Sequence, residues 1–124
     1  MANPKDEHDY QNMGFYHKDL RQFDKAIEEF ELVLKTDSSF YMAYFNLALV
    51  YEKIRYLKGA KYSLQKVLEL KPDFAEAYYH AAILNLMTKE KKQAVIDFQK
   101  VLELAPGTNI AELSQKELKK LGKK

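Results

Sequence analysis

Gln65-Lys-Val-Leu-Glu-Leu-Lys-Pro72 recurs as Gln99-Lys-Val-Leu-Glu-Leu-Ala-Pro106, displaced by 34 residues. The same step relates Tyr10, Tyr44 and Tyr78; Ala26, Ala60 and Ala94; and Val33, Val67 and Val101. Leu34, Leu68 and Leu102 keep it too, while Phe30, Leu64 and Phe98 stay large and apolar. A period of about 20–50 residues marks an array of supersecondary units, none of which can bury its apolar face alone. Three such units are present in one register.

Within each unit the apolar spacing is helical. Tyr44, Leu47, Ala48 and Tyr51 fall at i, i+3, i+4 and i+7, one face of a helix. Ala60, Leu64, Val67 and Leu68 mark the inner face of a second. The connection Lys53-Ile-Arg-Tyr-Leu-Lys-Gly59 is short enough only for a tight antiparallel turn, with Gly59 as its punctuation. Lys71-Pro-Asp73 ends the pair, because proline disfavours helical geometry in the residue before it. The pattern predicts helices near 6–20, 24–36, 41–54, 58–70, 75–88, 92–104 and 109–121. Gly14, Ala48 and Ala82 on the first helices, with Ala26, Ala60 and Ala94 on the second, let paired axes approach closely.

Composition agrees with helices. Glycine and proline supply only seven of 124 residues, too few for a turn-rich or strand-rich chain. Aromatic residues are 13%, as nine Tyr and seven Phe without Trp, and 14.5 kDa suits one domain. The absence of cysteine excludes a disulfide framework, a thiolate metal site and a cysteine nucleophile. Mean hydropathy is −0.49, and no apolar run approaches the roughly 18 residues that span a bilayer. The N-terminal residues are too polar for a signal peptide, so the expected location is cytoplasmic, without membrane insertion.

The three units resemble the tetratricopeptide repeat (TPR) family. Its pattern is an aromatic, Leu-Gly/Ala and Tyr on a first helix, then Ala, Phe and Ala on a second, then Pro. The first unit supplies Tyr10, Met13-Gly14, Ala26 and Phe30, with Ser38 at the proline position. The second supplies Tyr44, Leu47-Ala48, Tyr51, Ala60, Leu64 and Pro72. The third supplies Tyr78, Ala81-Ala82, Ala94, Phe98 and Pro106, and the likeness covers residues 7 to 108. Tyr replaces the family's Trp throughout, Val33, Val67 and Val101 stand where Ala is usual, and His17 and Asn85 replace the helical Tyr.

The resemblance implies an all-α fold, a right-handed α-solenoid of three antiparallel helix pairs with a C-terminal solvating helix. It implies one domain over 1–124, with repeats near 7–40, 41–74 and 75–108 and a capping helix near 109–121. In that helix Ile110, Leu113, Leu118 and Leu121 are expected on one broad apolar face.

In this family the first helices line a concave groove where protein or peptide partners bind. Carried over by register, the groove positions are Gln11, Asn12 and Phe15; Met42, Phe45, Asn46 and Leu49; and Tyr79, His80 and Ile83, with Glu76 beside them. An exposed strip of Phe15, Met42, Phe45, Leu49, Tyr79 and Ile83 is the expected binding surface. Chaperone-binding members carry a carboxylate clamp, and the corresponding residues here are Gln11, Phe15, Asn46, Glu76 and His80. Only Asn46 matches, and Glu76 would repel a terminal carboxylate. The expected role is therefore an adaptor that takes a helical or extended apolar segment, not a chaperone-tail clamp.

Catalysis has little footing. His8, His17 and His80 are the only histidines, and His80 falls on a different helix from the other two. No phosphate-binding glycine loop or nucleophile motif occurs, so no catalytic residue, metal or cofactor is expected. Net charge is +2, and residues 114–124 carry five lysines against one glutamate. The body therefore lacks a basic stripe, and nucleic-acid binding is not expected. Two other roles stay open: self-assembly through the surplus Tyr16, Tyr41, Tyr56, Tyr62 and Tyr79, and binding of polyanions or a membrane surface by the lysine-rich end.

Overall fold

The structure, a computed structural model, describes residues 20–122. They form six helices: α1 Leu20–Thr36, α2 Tyr41–Lys53, α3 Leu57–Leu70, α4 Ala75–Met87, α5 Lys91–Leu104 and α6 Asn109–Lys120. No strand occurs among the described residues. The predicted helix over 6–20, apart from Leu20, lies outside them, and with it Gln11, Asn12 and Phe15. Five predicted helices agree with the structure to within a residue at either end. The remaining one, expected over 24–36, is already helical at Leu20, the first described residue. Leu20, Arg21, Gln22 and Phe23 include no helix breaker, so nothing in them interrupts α1 ahead of Asp24.

The described helices group into two compact units, dividing after Leu70. In the first, α1 packs on α2 and α2 on α3. Phe23, Ala26 and Phe30 meet Ala43, Leu47 and Val50 in one core cluster, with Ile27, Leu34, Tyr51 and Ile54 packed against it. Each set follows helical spacing, so one stripe of each helix is dry. Ala60, Leu64 and Val67 repeat that spacing along α3 and are at most 2% exposed. Ala48 and Ala60, the small residues expected at the close approach, are 1% and 0% exposed.

The α2–α3 turn is made differently from the expectation. Arg55, not Gly59, adopts the left-handed conformation, with φ +67°. The Tyr56 N–H donates to the Tyr51 carbonyl at 2.8 Å and the Arg55 N–H to the Glu52 carbonyl at 3.2 Å. These two bonds satisfy carbonyls that the end of a helix otherwise leaves open, in a Schellman arrangement. The α4–α5 turn repeats it 34 residues later: Lys89 has φ +63°, and Glu90 and Lys89 donate to Asn85 and Leu86. Gly59 sits inside the first turn of α3, where a Cβ would lie 2.5 Å from ring carbons of Tyr56. The glycine makes room for a ring and does not bend the chain.

In the second unit α4 pairs with α5, and α6 lies against α5. Ala82, Ala94, Phe98 and Leu118 form its core cluster. Thr108 caps α6, its Oγ1 accepting from the Ala111 N–H at 3.3 Å and donating to the Ala105 carbonyl at 2.6 Å. Ala111, Ser114 and Leu118, at i, i+3 and i+7, form the dry stripe of α6, and Leu121 packs beside it. Leu113 is 43% exposed, contrary to the expected broad face, because it lies about 100° around the helix from Ser114. Among the described residues, no helix is long and apolar enough to cross a membrane.

Candidate functional site

The α2 candidates share one side of their helix. Met42, Phe45, Asn46 and Leu49 stand at i, i+3, i+4 and i+7, while the core residues Ala43, Leu47 and Val50 take another side. None of the four is a fully exposed apolar residue. Met42 and Leu49 are half-buried, and Phe45 and Asn46 are 7% and 8% exposed. The expected exposed strip is thus largely sheltered here. Asn46 is the unusual member: its side-chain oxygen Oδ1 is buried and has no hydrogen-bond partner. Buried amide oxygens are nearly always paired, so a lone one needs an explanation.

In the second unit Tyr79, His80 and Ile83 are all half-buried. Tyr79 stands edge-on to two rings, 5.6 Å from His80 and 6.1 Å from Phe98 between centroids. Tyr79 and Ile83 also pack against the cluster that holds Leu118 of α6. Much of their apolar surface therefore serves the interior of this unit. Glu76, in the first turn of α4, is exposed.

Sequence reasoning missed one polar feature. Asn85 and Asp97 are 7% and 5% exposed, and Asn85 Nδ2 donates to Asp97 Oδ2 at 2.9 Å across the α4–α5 pair. Gln93 Nε2 donates to the other carboxylate oxygen at 3.1 Å. Burial pushes the Asp97 carboxyl above its ordinary pKa, against the downward pull of those two hydrogen bonds. The signal was present in the period: Tyr51 and Ser63 of the previous repeat become Asn85 and Asp97 together.

The described lysines of the C-terminal helix are solvated. Lys116, Lys119 and Lys120 are exposed on α6, and Lys120 pairs with Glu117 at 3.5 Å. Lysines in the last turn also complement the helix dipole.

Comparisons with known proteins agree with this architecture. One tetratricopeptide repeat model matches residues 10–40 and 42–74, and a second tetratricopeptide repeat model matches residues 76–108. No curated protein matches the chain. Among solved structures, an Arabidopsis OM64 TPR domain is 20% identical with a TM-score of 0.74, covering 97% of this chain and 99% of that one. The first TPR of Spaghetti (RPAP3), bound to the HSP90 peptide SRMEEVD, is 18% identical with a TM-score of 0.74. That match covers 98% of this chain and 94% of that one. The second TPR domain of human RPAP3, in complex with the HSP70 peptide SGPTIEEVD, is 22% identical with a TM-score of 0.72, covering 98% and 100%. The fold is the all-α helical-repeat solenoid of these domains.

Proposed function

The chain belongs to the tetratricopeptide repeat family, and from that premise we propose that it is an adaptor without catalysis of its own, binding a helical or extended apolar segment of a protein partner. The fold supports an interaction module in general terms. What supports the finer reading is Asn46. Its buried amide oxygen has no donor within the chain and lies on the same helix side as half-buried Met42 and Leu49, so the side chain gains a partner by turning outward to the backbone N–H of an incoming segment. By register the equivalent positions are Gln11, Asn12 and Phe15 in the first repeat and Tyr79, His80 and Ile83 in the third.

We further propose that the module is not a clamp for terminal carboxylates, although two related folds hold HSP90 and HSP70 peptides. The clamp positions Gln11, Phe15, Glu76 and His80 differ from the family's clamp, and exposed Glu76 adds a like charge. Calorimetric titration with the peptide SRMEEVD should therefore give no saturable heat; micromolar binding would overturn the non-clamp reading. Peptides selected from a random displayed library should lose about tenfold or more in affinity on Asn46→Ala or Leu49→Glu. Selected peptides indifferent to both changes would sink the proposed surface.

A second reading, self-assembly, has one observation in its favour. Tyr56 and Tyr62 are 53% and 56% exposed, high values for large aromatic residues. Light scattering across concentration separates the two, since a strict monomer excludes self-assembly.

A further inference from the structure

Those two exposed tyrosines also border an open cleft of about 540 Å³ in the first unit. Leu34 and Glu31 line it from α1, Tyr44 and Tyr51 from α2, and Tyr62 from α3, with Tyr56 from the turn. Its volume falls within the range of small-ligand sites. It lies on the side of α2 that carries Tyr44, Leu47 and Tyr51, not the side that carries Asn46.

The internal repeat acts as a control on what the fold itself demands. At the equivalent positions 34 residues on, Tyr51, Tyr56, Gly59 and Tyr62 become Asn85, Glu90, Gln93 and Ile96. In the first repeat Tyr56, Gly59 and Tyr62 correspond to Gln22, Lys25 and Glu28. The third-repeat helix pair forms without these tyrosines, so the helix pair does not require them. Their setting is nevertheless built. Tyr51 and Tyr56 stand edge to face, 5.1 Å between centroids and 88° between planes. A Cβ at Gly59 would strike Tyr56 at 2.5 Å and touch Tyr51 at 3.0 Å, so the glycine holds open the place that the ring occupies.

The chemistry of the lining selects an occupant. Tyrosine rings present negative π faces to cations. Lys66 Nζ already stands 5.7 Å from the Tyr62 centroid, which shows such a contact at the rim. Among the described residues Glu31 is the one carboxylate lining the cleft, and its charge acts on Tyr51. Burial raises the pKa of the Tyr51 hydroxyl first, and the charge of Glu31 raises it further. Lys58 lines the cleft with the opposite sign and is exposed like Glu31, so the tyrosine rings and not net charge carry the attraction. A bare ammonium carries N–H donors that one exposed carboxylate cannot satisfy on leaving water. A cation without such donors enters at least desolvation cost.

We propose that this cleft binds an alkylated ammonium group among the rings of Tyr51, Tyr56 and Tyr62, with Glu31 as its counter-charge. The head group belongs either to a free quaternary amine or to a methylated lysine side chain, and the experiment has an arm for each. Tyrosine ring resonances are followed by NMR while the whole chain is titrated with tetramethylammonium chloride. Sodium chloride at equal ionic strength and tert-butanol, a neutral analogue of similar shape, serve as controls.

Saturable shifts at Tyr51, Tyr56 and Tyr62 are expected with tetramethylammonium alone. Glu31→Gln and Tyr62→Ile should each weaken binding about threefold or more, and Lys58→Gln should strengthen it about twofold. Glu31 and Tyr62 are both exposed, and isoleucine already stands at the equivalent of Tyr62 in the next repeat, so both variants should fold, as far-UV circular dichroism will check. In the second arm, a peptide carrying trimethyl-lysine that binds at least about tenfold tighter than the free ion, and than its unmethylated form, identifies a side chain as the source. Affinities equal to that of the free ion identify the small amine. Equal shifts from tert-butanol, or unchanged affinity in both Glu31→Gln and Tyr62→Ile, would overturn the proposal. So would a proline-rich peptide that saturates the cleft when tetramethylammonium does not.

Discussion

Asp97 is 5% exposed and keeps both carboxylate oxygens occupied, one by Asn85 and one by Gln93. Its raised pKa fixes the direction of a pH effect. The folded carboxyl holds its proton more tightly than the unfolded one, whose ordinary value is 3.8. The stability this gives is therefore full below 3.8 and is lost as pH rises through the folded value. Asp97→Asn removes the buried charge and keeps both partners, once the Gln93 amide turns to offer its oxygen. Urea unfolding at pH 7 should show the variant at least as stable as the native chain, with any advantage shrinking toward pH 3. Asp97→Ala should instead cost about 1–3 kcal/mol, because it strands the Asn85 amide N–H. Arg55 offers a second test at this scale. A non-glycine residue at φ +67° carries backbone strain, and Arg55→Gly should raise stability by about 0.5–1 kcal/mol despite the added freedom of the unfolded chain. A melting temperature lower than that of the native chain would contradict it.

At the level of elements, the period and the helical spacing placed α2 to α6 well, because burial repeats along them every three or four residues. The stretch of α1 ahead of Asp24 was less legible. The same register position that turns left-handed at Arg55 and Lys89 is helical at Arg21, and no glycine or proline distinguishes it. Gly59 misled for a related reason: glycine suggests a bend, yet here it yields space to Tyr56. Gly59→Ala should gain about 1 kcal/mol of helix propensity and lose a similar amount from the displaced Tyr51–Tyr56 pair. Stability should change little while the Tyr56 ring resonances move strongly; unmoved resonances would mean that the ring does not rest on Gly59. The cap of α6 behaves more simply. Thr108→Ala should cost the second unit about 1 kcal/mol, seen as faster amide exchange over Asn109–Leu113.

Across the whole molecule, the fold was readable because three registered units leave few alternatives, whereas the candidate site was only partly so. Register places Met42, Asn46 and Leu49 together, yet it cannot say how far neighbouring side chains cover them, and Tyr79 and Ile83 prove to pack on their own unit's core. Polar pairing is likewise invisible to apolar periodicity, and the Asn85–Asp97 bond is a feature of the folded chain alone.

Within each unit the principal packing joins helices adjacent along the chain: α1 with α2, α2 with α3, α4 with α5 and α5 with α6. Such short-range closure carries a small loop entropy, so the main refolding phase in stopped-flow should be complete within milliseconds. A dominant phase lasting seconds would contradict that. Each helical hairpin contains enough local contact to start the process, and no distant strand has to be found first. For a chain emerging from the ribosome, an early repeat closes its core as soon as the first helix of the next one has been made, as Phe23, Ala26 and Phe30 do against Ala43, Leu47 and Val50.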